Sequence, residues 1–247
     1  MMKKLICILM FIPLLTIGQE GEKMIKGNTF TSDQFGYYYD IGDTEIRKYT
    51  KEGKLMSSYS NQVLGMIAHV DMFNPYKILV YYRDFTKILI LDNFLTETTE
   101  VIDLIAIELD ETPLVCRSYN DAIWYYDPVR FELIRKNPEL ETTNSSGNIA
   151  NLLGKNIQPT YLLEYNNYVY LNDTTNGILV FDLFGTYIKT IPIYGIASFE
   201  VKDKYIIYSN ADKQIEIYDF LSLEKRVYRP DFYSDVLEVR QENELIY

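Results

Sequence analysis

From residue 29 onward the chain reads as short runs of alternating apolar and polar positions, bounded by Asn, Asp, Gly or Lys. A period of two puts every second side chain on one face, so these runs predict strands rather than helices. One pattern recurs, an apolar strand that ends in a turn. It is sharpest in Ile88-Leu-Ile-Leu91-Asp92, Ile178-Leu-Val-Phe181-Asp182 and Ile215-Glu-Ile-Tyr218-Asp219, and weaker in Ile46-Arg-Lys-Tyr49-Thr50 and Phe131-Glu-Leu-Ile134-Arg135. The last strand position falls at 49, 91, 134, 181 and 218, with gaps of 42, 43, 47 and 37 residues. Short strands repeating every ~40–45 residues are the signature of β-propeller blades.

A second repeat runs beside the first. Hairpin patterns occupy residues 163–170, 199–208 and 237–247, with polar tips at Asn166-Asn167, Lys202-Asp203-Lys204 and Gln241-Glu242-Asn243. Such tips join antiparallel strands. A blade therefore reads as an inner hairpin, a third strand, an Asp or Gly turn, and an outer strand such as Tyr187–Ile191 or Lys225–Tyr228. The expected fold is all-β, a five-bladed propeller, with six blades, one incomplete, as the alternative. Its ring is expected to close by pairing N- and C-terminal strands, residues 46–58 completing the blade that the last hairpin opens. Closure removes the exposed edges that an open sheet offers to aggregation. Residues 137–156 break the rhythm and read as a polar insertion with a helical turn near 148–153.

The first eighteen residues stand apart. A basic start with Lys3 and Lys4 precedes the apolar run 5–15 (LICILMFIPLL), and Thr16-Ile17-Gly18 follows. That is the anatomy of a secretory signal peptide, too short to span a membrane and holding Pro13. Cleavage is expected before Gln19, leaving residues 19–247 as a single propeller domain in the periplasm. Losing the two lysines takes the net charge from −11 to −13. A surface so acidic repels phosphate backbones and anionic headgroups, which argues against nucleic acid and against direct membrane insertion. Cys7 lies too early to carry a lipid anchor, and Cys116, in an apolar stretch, reads as a buried small hydrophobe.

Acid–base equipment is sparse: 23 Tyr and 12 Phe accompany a single His. His69 reads as a core or rim residue rather than a catalytic base, and neither a catalytic triad nor a zinc set can be assembled around it. Asp92, Asp182 and Asp219 recur where turn aspartates sit. Glu164, Glu200 and Glu238 recur on inner strands, facing either the channel, where three carboxylates could hold a cation, or solvent. No cofactor, metal or catalytic residue is expected. In the run Tyr37-Tyr38-Tyr39 and the pairs Tyr81/Tyr82 and Tyr125/Tyr126, alternation sends one of each adjacent pair away from the inter-blade core, toward a protein-binding or sugar-stacking surface. Tyr168 and Tyr170 add to this aromatic load. Packing between twisted blades is the other reading and covers most of them.

Residues 70–85 (VDMFNPYKILVYYRDF), with Ile88–Asn93 apolar-Asp-Asn and Leu95-Thr96-Glu97 behind them, resemble a family of exported Bacteroidota proteins. There an Asn-Pro-x-Lys segment leads through a Tyr-x-Asp-Phe stretch into an apolar-Asp-Asn turn. That family includes the plug subunit of the type 9 secretion translocon. The resemblance implies a non-enzymatic periplasmic protein, peripheral to the outer membrane, that occludes the inner mouth of a large outer-membrane barrel. Within the segment, Asn74, Tyr76, Lys77, Arg83 and Asp84 form a candidate partner-binding rim, a cationic spot on an acidic chain. The alternative is a propeller-type enzyme or carbohydrate binder that uses the central channel.

Overall fold

The computed structural model describes residues 29–228 together with the strand pairs 241–242 and 245–246. Five four-stranded antiparallel sheets succeed one another, each a meander in which every strand pairs with the next. Blade 1 is β1 (Thr29–Ser32), β2 (Tyr38–Ile41), β3 (Glu45–Tyr49) and β4 (Leu55–Ser60). Blade 2 is β5 (Ile67–Asp71), β6 (Ile78–Tyr82), β7 (Lys87–Leu91) and β8 (Ile102–Asp103). Blade 3 is β9 (Leu114–Arg117), β10 (Ile123–Asp127), β11 (Glu132–Lys136) and β12 (Thr142–Ser145). Blade 4 is β13 (Pro159–Tyr165), β14 (Tyr168–Asp173), β15 (Gly177–Asp182) and β16 (Tyr187–Ile191). Blade 5 is β17 (Glu200–Lys202), β18 (Tyr205–Ser209), β19 (Ile215–Asp219) and β20 (Lys225–Tyr228). The molecule is a five-bladed β-propeller, and the five third strands are those that the repeat marks.

The first strands line the axis. Residues of β1, β5, β13 and β17 surround one central cavity. In a meander that starts at the axis, the turns after the first and third strands emerge on one face of the disc, here the front. Turns after the second strand, and the links between blades, emerge on the back.

The core lies between blades rather than within them. Tyr82 packs with Tyr39, Ile41 and Ile46 of blade 1, while its neighbour Tyr81 packs with Val115, Ile123 and Tyr125 of blade 3. A blade sandwiched on both sides buries both faces of its middle strands, and all five residues of β6 are buried. Of the two readings of the tyrosines, packing between blades holds and the outward surface does not: Tyr38, Tyr39, Tyr81, Tyr82, Tyr125, Tyr126 and Tyr170 are all buried, and Tyr168 is exposed.

Three boundaries also differ from expectation. Residues 46–58 belong to the sheet of the first blade, where β3 pairs with β2 and β4 with β3. At the other end, β21 (Gln241–Glu242) pairs with β22 (Leu245–Ile246), so Gln241 and Glu242 are strand residues rather than a tip. Any further closing contact between the chain ends lies outside the described residues, as do the signal segment and Glu238. Finally, residues 137–156 hold the outer strand β12 as well as the expected helical turn, α1 (Ile149–Leu153). Asn148 caps that helix by accepting the Asn151 amide at 2.7 Å, and Ile149 anchors it in the core between blades 3 and 4.

Candidate functional site

The front face is built from one turn used five times. Between third and fourth strands each blade opens its turn with a side-chain acceptor: Thr50, Asp92, Asn137, Asp182 or Asp219. Asp92 Oδ1 accepts the amides of Phe94 (2.9 Å) and Thr96 (2.8 Å), and Asp182 Oδ1 accepts those of Phe184 (2.9 Å) and Thr186 (2.8 Å). Asp219 Oδ1 does the same for Leu221 (2.9 Å) and Ser222 (3.1 Å). Its Oδ2 meets Lys204 Nζ at 2.7 Å, and that bond holds the Asp219 carboxyl well below the usual range. The three recurrent aspartates are thus turn residues, as their position predicts.

Two positions beyond the acceptor the side chain points outward. In blades 1 and 3 it is Glu52 and Glu139; in blades 2, 4 and 5 it is Phe94, Phe184 and Leu221, exposed by 69%, 71% and 70%. Nearer the axis, the same device recurs after β1 and β5. Asp33 Oδ1 accepts the Phe35 amide at 2.9 Å and Asp71 Oδ1 the Phe73 amide at 2.7 Å, leaving both rings partly exposed. Phe35 sets its edge against the exposed ring of Tyr76 from the next blade, with centroids 5.7 Å apart. Phe35, Phe73 and Tyr76 form an aromatic collar beside the axis.

Phe73 also lines the mouth of an axial cavity of about 370 Å³, whose walls carry His69, Tyr161, Tyr165, Glu200 and Lys202. A second cavity of about 200 Å³, lined by Thr29, Phe30, Ile67 and Ser198, lies toward the back. His69 and Tyr161 line both, their rings edge to face at 6.3 Å, and make the waist between them. The single histidine therefore belongs to the channel.

The two recurrent glutamates among the described residues, Glu164 and Glu200, are held differently. Glu164 is buried in the seam between blades 3 and 4, accepting from Ser118 Oγ (2.6 Å), Trp124 Nε1 (2.8 Å) and the Tyr119 amide (3.1 Å). Burial pushes its pKa up, and these donors only partly offset that. Arg135 completes the seam through Ser118 Oγ (2.8 Å) and the Tyr119 carbonyl (2.8 Å), its guanidinium stacked over Tyr119. Both Glu164 and Glu200 belong to the lining of the axial cavity, but the Glu164 carboxylate is taken up by its seam donors. Among the described residues no cluster of His, Cys, Asp and Glu is arranged to hold a metal ion. Cys116 is buried, and burial raises its thiol pKa, as an inert core residue requires.

The candidate rim divides. Asn74, Tyr76 and Lys77 lie in the front turn before β6, whereas Arg83 and Asp84 lie in the back turn after it. Five strand residues intervene, roughly 15 Å of chain. Nor is the spot an open cationic island. Lys77 Nζ pairs with Asp121 at 2.5 Å, and Asp121 also takes Arg117 at 2.9 Å. On the back, Arg83 donates to the Pro113 carbonyl (3.3 Å) and Asp84 accepts the Met66 amide (3.1 Å). The front phenylalanines escaped the strand-based reading, although Asp-x-Phe at residues 33–35, 71–73, 92–94 and 182–184 is visible in the sequence.

No protein-family model matches the chain, and no curated protein matches it by sequence. Solved structures agree on the class of fold. A streptogramin B lyase superposes with a TM-score of 0.57 at 13% identity, over 83% of this chain and 69% of that one. The Pan2 WD40 domain of Neurospora crassa gives 0.58 at 9%, over 86% and 68%. A computationally designed protein, Ika8, gives 0.51 at 12%, over 85% of this chain and 64% of its own. At these identities the likeness is one of fold, and an enzyme and an interaction-domain fold both share it. Among the described residues no helix is long and apolar enough to cross a membrane.

Proposed function

We propose that the protein is a non-enzymatic binding module that docks another exported protein with the front face of its disc. The observation that carries this reading is the set of exposed aromatics on the front turns of blades 1 and 2: Phe35 and Tyr76, edge to face across the two blades, and Phe73, which lines the axial cavity. Aromatics held stiffly in an accessible cluster are the usual anchors of protein interfaces. The partner is taken to be a large outer-membrane barrel, the type 9 secretion translocon, whose periplasmic mouth the disc would cover. That finer reading is supported by the resemblance of residues 70–85, which supply Phe73 and Tyr76 to the collar.

A photoreactive phenylalanine analogue at Tyr76, irradiated in intact cells, should give one large outer-membrane adduct; at Phe131, on the back, it should give none. Equal adducts from both positions, or none from either, overturn the docking face. An adduct with a different envelope protein overturns only the translocon.

The waist of His69 and Tyr161 favours a second reading, in which the axial cavity holds a small ligand or serves an enzyme. A sugar or metal ion that raises the melting temperature of the wild type, but not of Tyr161→Leu, would support it.

A further inference from the structure

We propose that Phe94, Phe184 and Leu221 rest the front face of the disc on a lipid bilayer of zwitterionic headgroups. This goes beyond the docking reading and stands without it. The fold does not ask for apolar residues at these tips. Blade 3 closes the equivalent turn in the same way, with a backbone bond from Asn137 N to the Glu141 carbonyl and a bond from the Glu141 amide to the Asn137 side-chain Oδ1, and carries Glu139 at the tip. Blade 1 closes its turn from Thr50 N to the Lys54 carbonyl and carries Glu52. Three of five tips are nevertheless apolar and about 70% exposed, and in blade 5 the exposed Leu223 adds a second apolar side chain.

Their arrangement suits a bilayer better than a protein. A protein interface needs a contiguous, tightly packed apolar centre, whereas a bilayer fills in around separate protrusions. Phe94 and Phe184 are separated by blade 3 with its charged tip. Blades 4 and 5 are neighbours and blade 2 stands two steps from each, so the three tips enclose the axis and fix the face parallel to a plane. The turns 92–96 and 182–186 contain no Lys or Arg, and the chain is strongly acidic, which points away from anionic lipid. Asp92 and Asp182 pin the backbone through two amides each, so little order remains to be gained on contact.

The test is sedimentation of the whole protein, purified from cells, with large phosphatidylcholine–phosphatidylethanolamine vesicles. The variants are Phe94→Glu, Phe184→Glu and Leu221→Glu, a residue that blades 1 and 3 already accept. Wild type should partition onto the vesicles independently of salt. Each single change should weaken it about tenfold, as loss of one buried Phe or Leu contact implies, and the triple variant should stay in solution. Val63→Glu and Val129→Glu, on the back, should match wild type. The N-terminal segment, processed or not, is the same in every variant, so differences report the tips. Three results overturn the proposal: wild type that ignores these vesicles, a triple variant that still sediments, or binding that requires anionic lipid and dissolves in salt. A wild type that ignores vesicles while Tyr76 still cross-links leaves the docking reading intact.

Discussion

Two populations of aromatic side chain divide this propeller. Tyrosines of the second strands, Tyr39, Tyr81 and Tyr125, are fully buried between blades, while phenylalanines of the front turns, Phe94 and Phe184 above all, stand in solvent. By hydropathy alone the order would be reversed, since Phe is the more apolar of the two. Position in the blade decides instead. A second strand is covered on both sides by its neighbours, and a turn tip by nothing. The difference also separates what the fold requires from what it permits: the seams are packed and bonded, and the tips vary freely between Glu, Phe and Leu.

The largest expected effect lies in the seam. Tyr81 is fully buried among Val115, Ile123 and Tyr125, and its hydroxyl donates to the Thr112 carbonyl at 2.5 Å. Tyr81→Ala should cost about 4 kcal/mol, or roughly 10 °C in melting temperature. A loss below about 1 kcal/mol would mean that the blades do not pack as rigid neighbours, and the division between seams and tips would fail with it.

A smaller effect, with a sign, belongs to Glu164. Glu164→Gln keeps the shape but sets an NH2 group against donors, which should cost about 1–3 kcal/mol near neutral pH. The wild-type carboxylate carries its own penalty there. Because burial raises its folded pKa above the unfolded value, its contribution is fully present below the unfolded pKa and is lost as pH rises through the folded one. The wild type should therefore gain on the Gln variant as pH falls from neutral through the folded pKa toward the ordinary carboxylate value of about 4.5. Urea titrations at the two ends of that range check this, and a gap that narrows on acidification would contradict the burial argument.

Much of this was legible from spacing. The third strands of blades 2 and 4 announce themselves because they are buried on both faces and read as apolar runs before a turn residue, as in Ile178–Asp182, and the spacing then picks out the weaker copies. The hairpin around Asn166-Asn167 was legible too, since both residues take the positive φ that a tight turn demands, 49° and 66°. The seams were not. Alternation assumes one wet face, so it sent one of Tyr81/Tyr82 and one of Tyr125/Tyr126 outward, and it offered no sign that Glu164 would meet Ser118 and Trp124 some 40 residues away. The rim failed for a related reason: Lys77 and Arg83 are close in sequence, but β6 carries the chain from one face of the disc to the other between them.

The smallest expected effect tests the tips as features the fold permits but does not need. Phe184→Glu should change stability by less than about 0.5 kcal/mol, and the reciprocal Glu139→Phe by as little. The turn's bonds are all made by the backbone and by the first residue: Asp182 N donates to the Thr186 carbonyl at 2.9 Å, and Gly185 N to the Asp182 carbonyl at 3.1 Å. Gly185 itself takes φ of 86° beneath backbone atoms of residues 145–146 that a Cβ would strike at 2.8 Å, so the tight position is Gly185 and not its neighbour. Asp182→Ala, which strips two amides of their acceptor, is the proper contrast and should cost about 1 kcal/mol. If Phe184→Glu costs as much as Asp182→Ala, the ring is packing against something in the folded protein. The tips would then be part of the core, and their exposure would no longer argue for contact with anything outside it.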